Sequence, residues 1–393
     1  MKKFTANIND LRLTSISLLA NLVTAGFFTV IGLLVGPISQ QFGIELTSVT
    51  KQFSWLTGCY FVGSVVTFFI LDYVSIRTML LIYTSVILLA AIFAVFNTSY
   101  ALLPVILGII GLLSGIAICI AGTIISRIWR HKHQQVALLS QDAAFNIGGV
   151  IFPFSAVYIL ATGMGWGFSY IVAALALIVV LYLIVISSFE FESELPHGEE
   201  EKVKTELNSS VVLAGIFLFL VVVSKYIIIV WLPNYAETYL DATTLQSGEL
   251  IAQVFAVALI GSIIGTILIA RVNLTLFVAT AVLIGFLSSL QFTKMPDIKG
   301  LTLMVSIFGL SLSVLWNGFV AFGVALLRRP SHKHVSYIIF CGGAGATVTP
   351  LVSGIFVESY GVSAVLDVVA ALYGIVFLTI VVHGIALKGT SKN

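Results

Sequence analysis

Hydrophobic residues form twelve long runs along the chain, and short polar or charged segments separate them. A helix needs about 20 apolar residues to cross a bilayer. Backbone groups inside lipid have to form hydrogen bonds within their own segment, so we predict that each run is a transmembrane helix. The expected spans are 12–36, 52–72, 78–97, 102–126, 136–161, 168–188, 211–232, 250–270, 273–291, 301–326, 336–357 and 364–387.

The second six runs repeat the first six. Short stretches recur 197 or 201 positions later, and a short indel between them accounts for the difference in offset. The matching stretches are Pro153 with Pro350, the Val-Ala-Ala-Leu of 172–175 with that of 369–372, and the His-Lys-His of 131–133 with that of 332–334. A repeat of this kind is typical of transporters built from two related bundles.

We therefore predict an all-α membrane protein made of two pseudo-symmetric six-helix bundles. The N-terminal bundle is expected at 1–188 and the C-terminal bundle at 211–393. The segment 189–210 between them carries seven glutamates and two lysines, and we interpret it as a solvated cytoplasmic linker.

The composition indicates that lipid is the solvent for much of the chain. Hydrophobic residues make up 59% and charged residues 9%, whereas a soluble domain carries about 25% charged residues. The net charge of +2 argues against a nucleic-acid partner. The cysteines and histidines lack the spacing of a metal site, and no Walker sequence is present, so we expect no metal, no cofactor and no direct use of ATP.

The basic residues predict the orientation. If the N-terminus is cytoplasmic, fifteen lysines and arginines lie on the cytoplasmic side and only three, Lys51, Lys294 and Lys299, lie on the other side. Cytoplasmic loops are enriched in basic residues. We expect a multi-pass protein of the inner cell membrane with both termini in the cytoplasm.

One lysine remains inside a predicted span. Lys225 lies beyond the midpoint of the seventh run, and its repeat equivalent is near Phe28. A charge near the centre of the bilayer costs at least about 2.5–3.5 kcal/mol, so such a residue usually faces a cavity or a partner. We interpret Lys225 as an anchor for an anionic substrate. The alternatives are a structural ion pair or a lysine whose ammonium reaches the interface.

A carboxylate in the fifth span is the second candidate. Asp142 is expected about six residues, or ~9 Å, into that span, and Asn146 follows one turn later. A desolvated carboxylate has a raised pKa and can exchange a proton as its surroundings change. The hypothesis is a proton-coupling site, and the alternative is a structural hydrogen-bond or ion-pair position.

Polar and aromatic residues at helical spacing complete a candidate pocket. They are Ser17, Asn21, Thr24 and Phe28 in the first span and Ser313, Trp316 and Asn317 in the tenth. Tryptophan normally prefers the membrane interface, so Trp316 beside Asn317 in mid-membrane is unusual. This pair could stack on a substrate and offer hydrogen bonds, or it could bridge helices.

The twelve spans, the six-plus-six repeat and the long central loop resemble the major facilitator superfamily over nearly the whole chain. The stretch 68–77 also resembles the family's loop motif after the second span, with Asp72 and Arg77 at its acidic and last basic positions. The stretches 16–19, 32–38 and 151–153, with Asp142, look like TsgA-type proteins, a branch near the fucose and glucose proton symporters.

The resemblance implies roles for several of these residues. The first, fourth, seventh and tenth spans line the central cavity in this family. Substrate contacts are therefore expected from Asn21, Phe28, Lys225, Trp316 and Asn317, and a gating role is expected from the loop that holds Asp72 and Arg77.

The leading hypothesis is a secondary active transporter. It would move a small organic solute, with an anionic group favoured by Lys225, by alternating access and with coupling to a proton gradient. Proton-driven efflux of drug-like or metabolite compounds is the alternative within transport.

A membrane receptor that binds without flux and a multi-pass enzyme are the hypotheses of another class. An enzyme needs clustered acids, histidines or metal ligands near an interface, and the buried acids here are isolated. We expect no enzymatic activity, a monomer in the lipid bilayer, and a small-molecule substrate and protons as partners.

Overall fold

The computed structural model describes residues 7–71, 73–129, 131–189, 209–269, 272–325 and 332–390. The long elements in these ranges are all α-helices. They are α1 (Ile8–Phe28), α2 (Ile31–Phe42), α3 (Leu46–Ile70), α4 (Ile76–Phe96), α5 (Leu103–Ile128), α6 (His131–Ala161), α7 (Phe168–Ile186), α8 (Ser209–Tyr239), α9 (Thr244–Ile269), α10 (Leu274–Ser289), α11 (Ile298–Ala325) and α12 (His332–Thr390).

The helices follow the predicted spans with one difference: the first span is divided at Thr29 and Val30 into α1 and α2. The last two predicted spans both lie within α12, which a kink divides into two helices. Gly361 interrupts α12 with a φ of 83°, a conformation that glycine adopts without the steric cost of a side chain. Among the described residues, nine helices are long and apolar enough to cross a membrane, and one of them is α12 with its two spans.

Two proline-containing stretches lie inside helices. Gly36-Pro37 falls at the end of the first predicted span and Pro233-Asn234 directly after the seventh, but α2 continues to Phe42 and α8 to Tyr239. Proline removes only its own backbone donor, and neighbouring helices or polar side chains compensate for that loss in membrane helices. These prolines therefore act as local irregularities within helices and do not end them.

The chain divides into two compact units. The first consists of Met1–Ile44 and Gln52–Glu201, and the second of Glu45–Lys51 and Lys202–Asn393. In the first unit, α1 packs on α5, α6 and α7, while α4 packs on α5 and α7. In the second unit, α8 packs on α9, α11 and α12, while α10 packs on α11 and α12.

Glycines make equivalent close helix contacts in both units. Gly148 of α6 faces the carbonyl oxygen of Leu22 in α1, and a Cβ on this glycine would lie 2.6 Å from that oxygen. Gly345 of α12 faces the carbonyl oxygen of Phe219 in α8, where a Cβ would lie at 2.7 Å. Both residues of the second contact lie 197 positions after those of the first.

A second pair of contacts has an offset of 198 positions. Gly111 of α5 packs against the carbonyl of Leu56 in α3, and Gly309 of α11 packs against the carbonyl of Val254 in α9. Small residues let helix backbones approach closely in lipid. The internal repeat of the sequence is therefore also a repeat of individual helix crossings.

Candidate substrate-binding site

Lys225 lies half-buried near the middle of α8, in the second unit. Its ammonium nitrogen is 5.5 Å from the ring centroid of Phe255 on α9. At this separation the negative face of an aromatic ring attracts a cation, by about 0.5–2 kcal/mol depending on how far both are desolvated. In the second unit, the ammonium of Lys225 on α8 therefore lies beside the aromatic face of Phe255 on α9.

Hydrogen bonds hold the helix that carries Lys225. The indole N–H of Trp231 donates to the hydroxyl oxygen of Ser353 on α12 at 2.9 Å, and both residues are buried. Next to Lys225, the hydroxyl of Ser224 donates to the carbonyl of Leu220 at 3.0 Å. Because α8 is bonded to its neighbour, the packing of the unit sets the position of Lys225.

Trp316 of α11 lies in the same unit and is 38% exposed. Its ring approaches Gly342 of α12, where an added Cβ would lie 3.1 Å from the ring and 3.1 Å from Leu218 of α8. Leu218 precedes Lys225 by seven residues, or about 10 Å along the axis of α8. The structure therefore places Trp316 near α8, at a different level from Lys225. The side chain of Asn317 falls outside the described residues.

The polar face of α1 is buried in the first unit. Asn21 is 8% exposed, and its amide donates to the carbonyl of Ser17 at 2.9 Å. The hydroxyl of Thr24 donates to the carbonyl of Ala20 at 2.8 Å. One amide N–H of Asn21 and the hydroxyl proton of Thr24 are therefore used within the helix.

Phe28 supplies such an edge on the same helix. It is 1% exposed and packs edge-to-face on Tyr60 of α3, with ring centroids 5.1 Å apart. Aromatic pairs prefer this geometry over a face-to-face stack. At the repeat equivalent of Lys225, the first unit therefore has an aromatic pair where the second unit has a lysine over a ring.

Asp142 and Asn146 lie on α6, which is packed against α1. Asp142 is exposed and Asn146 is half-buried. Six residues after Asp142, Gly148 meets the backbone of α1 at Leu22. Four residues after Gly148, Phe152 fills the space beside Gly26 of α1. The predicted proton-coupling pair therefore stands on a helix that is firmly held against the polar helix α1.

The predicted gating loop is described in part. Arg77 is exposed in the first turn of α4. Ser75 caps this helix, because its hydroxyl oxygen accepts a hydrogen bond from the backbone N–H of Thr78 at 3.1 Å. Asp72, the acidic member of the motif, lies outside the described residues.

The sequence did not indicate an ion pair between Lys51 and Glu358. The ammonium of Lys51 lies 2.6 Å from a carboxylate oxygen of Glu358, which stands between the two predicted spans of α12. The hydrogen bonds that Lys51 and Thr47 donate hold the pKa of the Glu358 carboxyl below its usual value. These residues are separated by 307 positions or more, so no local pattern could have found the contact.

A groove of about 430 Å³ lies between α4 and α5 in the first unit. Its lining is entirely apolar and includes Leu89, Phe93, Phe96, Val105 and Ile109. Such a surface offers no group that could orient a polar solute, and it suits lipid chains. The groove is therefore not a candidate for the transport site.

The Major Facilitator Superfamily family model matches residues 16–340. The chain therefore belongs to the Major Facilitator Superfamily, whose members are membrane transporters and not enzymes. This confirms the predicted transporter class, the all-α fold of twelve transmembrane helices, and the expectation that the chain is not an enzyme.

Curated relatives of this chain are named Protein TsgA homolog. The relative from Citrobacter koseri is 25% identical over 392 residues, which cover 98% of both chains. The relative from Buchnera aphidicola subsp. Baizongia pistaciae is 24% identical over 381 residues, which cover 97% of both chains. The resemblance to TsgA-type proteins is thereby confirmed.

Solved transporters share the fold. A D-xylose-proton symporter superposes with a TM-score of 0.75 at 13% identity, covering 94% of this chain and 97% of the symporter. The nucleoside transporter NupG superposes with a TM-score of 0.70 at 12% identity, covering 95% of this chain and 99% of that protein. At such low identity the likeness shows the fold alone.

Proposed function

We propose that this protein is a secondary active transporter that moves a small organic anion by alternating access, coupled to a proton gradient. Membership in a transporter superfamily supports the transport step. The repeated helix crossings support two equivalent halves, with bundles at 1–188 and 211–393 joined by the linker 189–210.

The observation that carries the anionic preference is the position of Lys225. The lysine lies inside an apolar helix, where a charge costs at least about 2.5–3.5 kcal/mol, so a membrane helix keeps it only for a counter-charge or a water-filled cavity. Phe255 beside it is 2% exposed, and the face of its ring attracts the ammonium. Lys225 binds the negative group, and Asn21, Phe28, Trp316 and Asn317 contribute to the remainder of the site.

Asp142 is the residue that we assign to proton coupling, with Asn146 as its neighbour one turn away. Its carboxylate is exposed on a membrane helix. It would bind a proton when a rearrangement desolvates it, because burial disfavours the charged form, and release the proton when it is hydrated again. The likeness to a protein named a D-xylose-proton symporter supports proton coupling in this fold.

The orientation rests on the basic residues. Fifteen lysines and arginines against three support a cytoplasmic position for both termini, and we assign the protein to the inner cell membrane. In this orientation Arg77, and the loop it shares with Asp72, lie at the cytoplasmic surface, where we assign them to gating.

A binding experiment tests the assignment of Lys225. Purified protein is heated with pairs of compounds that share one carbon skeleton, such as benzoate with benzamide. A carboxylate that binds only the folded protein raises the unfolding temperature by mass action, whereas its neutral amide does not. Lys225→Met is expected to abolish the difference, and Lys294→Met, which removes a charge outside the spans, is expected to leave it unchanged. An equal shift in Lys225→Met and in the unmodified protein would remove the assignment.

A further inference from the structure

The helices α8 and α9 form an antiparallel hairpin within the second unit. Only residues 240–243 connect them. Asp241 has a φ of 49°, and the backbone N–H of Ala242 donates to the carbonyl of Ala236 at 3.1 Å, so the chain reverses directly after α8. A connection this short limits which residues of the two helices can lie opposite each other.

Reciprocal hydrogen bonds close the first turn of α9. The backbone N–H of Thr243 donates to the side-chain oxygen of Gln246 at 2.8 Å, and the backbone N–H of Gln246 donates to the hydroxyl oxygen of Thr243 at 3.3 Å. This capping box satisfies two backbone donors at the helix end. The helix α9 therefore begins at a defined residue.

Ser247 bonds α9 to α8 just after this turn. It has no exposed surface, and its hydroxyl donates to the carboxylate of Glu237. The carbonyl oxygen of Pro233, one turn earlier on α8, lies 3.5 Å from the same hydroxyl. A hydrogen bond to a charged acceptor is roughly twice as strong as a neutral one. Glu237 is therefore the main acceptor for Ser247.

The register that joins Ser247 to α8 also joins Phe255 to Lys225. Pro233 follows Lys225 by eight residues on α8. Phe255 follows Ser247 by eight residues on α9. Because the helices are antiparallel, equal spacing means that both contacts share one register. Eight residues span about 12 Å, so the bond of Ser247 fixes the level of α9 about two turns before the ring.

The contact between the ring and the ammonium depends closely on this register. The nitrogen of Lys225 is 5.5 Å from the ring centroid of Phe255, and the attraction extends to about 6 Å. A shift of α9 by one residue would move the ring by about 1.5 Å along the helix and turn it by about 100° around the axis. Such a shift would remove the contact.

The N-terminal half of the repeat lacks these residues. At an offset of 198 positions, Val49 corresponds to Ser247 and Thr57 to Phe255. At an offset of 197 positions, Phe28 corresponds to Lys225. The polar bond and the cation–aromatic contact are therefore both features of the half that carries the lysine.

We propose that Ser247 is a positioning residue of the substrate site. Through its bond to Glu237, it keeps α9 in the register that holds the ring of Phe255 beside the ammonium of Lys225. A side chain that is already held in place loses less freedom when a solute binds. The inference rests on the proposed function in its assignment of Lys225 to the anionic group of the solute.

A double-mutant cycle in changed backgrounds tests this role without any solute. The cycle combines Lys225→Met with Phe255→Leu, and the non-additive part of the change in unfolding temperature measures their coupling. It is repeated in Ser247→Ala and in the matched control Ser262→Ala. Ser262 also lies on α9, but its hydroxyl donates to the carbonyl of Leu259 in the same helix at 2.7 Å.

Ser247→Ala is expected to reduce the coupling to less than half, whereas Ser262→Ala leaves it unchanged. Glu237→Leu, which removes the acceptor, has the same effect as Ser247→Ala, and Glu237→Gln, which keeps a side-chain oxygen, retains the coupling. The variants are expected to fold, because α9 also packs on α11, where a Cβ on Gly309 would lie 2.5 Å from the carbonyl oxygen of Val254.

A coupling that is as large in Ser247→Ala as in the unmodified protein would overturn the proposal. An equal loss in Ser262→Ala would overturn it as well, since any loosening of α9 would then have the same effect. No coupling in the unmodified protein would also overturn it, because there would be no contact to position.

Benzoate connects the coupling to solute binding. The rise in unfolding temperature that benzoate gives the unmodified protein should fall by at least half in Ser247→Ala and persist in Ser262→Ala. A full rise in Ser247→Ala, despite a lost coupling, would overturn the role of Ser247 in the substrate site. If no carboxylate stabilises the unmodified protein, the assignment of Lys225 fails, and the coupling measured without solute still reports the role of Ser247 separately.

Discussion

Replacing one of the repeated glycines by alanine tests whether the close crossings stabilise each half. At Gly148 and Gly345 the new Cβ would lie 2.6 Å and 2.7 Å from the carbonyl oxygens of Leu22 and Phe219. Side-chain Cβ atoms essentially never come within 3.0 Å of such an atom, so each pair of helices has to separate by several tenths of an ångström. Overpacking of this kind costs about 1–3 kcal/mol.

The control is Gly122→Ala in α5, where nothing lies within 4 Å of the added Cβ. Alanine is the better helix former by up to about 1 kcal/mol, so this variant is expected to be neutral or slightly more stable. At roughly 2–4 °C per kcal/mol, the cost of about 1–3 kcal/mol means that Gly148→Ala and Gly345→Ala should each lower the unfolding temperature by about 2–12 °C.

The assay is the thermal loss of the monodisperse peak of detergent-solubilised protein. Because the two contacts are repeat equivalents, their effects should be of similar size. The reasoning is refuted if Gly148→Ala and Gly345→Ala unfold at the same temperature as Gly122→Ala. The helix crossings would then not require a glycine without a Cβ atom.

Further predictions concern contacts within the second unit. A double-mutant cycle of Lys225→Met and Phe255→Leu, measured by thermal unfolding, should give a coupling of about 0.5–2 kcal/mol, and zero coupling would show that the ring does not hold the cation. Trp231→Phe should destabilise by about 1–3 kcal/mol, because it leaves the buried hydroxyl of Ser353 without its donor; a smaller loss in the background Ser353→Ala would confirm the bond. The pKa of Glu358 is lowered, so its ion pair with Lys51 is intact at neutral pH and is lost only as the pH falls through this lowered value. The difference in unfolding temperature between the unmodified protein and Glu358→Gln should therefore be constant between about pH 6 and pH 8, and a difference that shrinks on acidification within that range would contradict the cause given for the shift.

Much of the fold could be predicted because lipid restricts the backbone so strongly. In lipid, apolar runs of this length form helices. Each of the predicted spans two to ten corresponds to one helix of the structure. The division of the first span at Thr29 could not be predicted, because hydrophobicity does not record whether a helix bends or ends. The predicted end of the seventh span at residue 232 is early for a similar reason: Pro233 lies inside α8, and a proline that would end a helix in water can remain inside one in a membrane.

Individual residues of the candidate site could be predicted from the sequence, but the contacts between them could not. Lys225 stood out because a charge inside an apolar run is costly. Its proximity to Phe255, 30 positions later, depends on how α8 and α9 pack. The ion pair of Glu358 with Lys51 could not be predicted from the sequence. A carboxylate between two spans is common, and Lys51 is far away along the chain. The roles of Asn21, Trp316 and Asp142 stay predictions.

Proton movement in proteoliposomes tests the central claim most directly. Vesicles that contain the protein and a trapped pH-sensitive dye are mixed with the carboxylate that stabilises it most, with and without an imposed pH gradient. We expect solute uptake that follows the gradient, a pH change that needs both protein and solute, and loss of the coupling in Asp142→Asn. Solute flux that ignores the gradient and is unchanged in both Asp142→Asn and Lys225→Met would contradict the account.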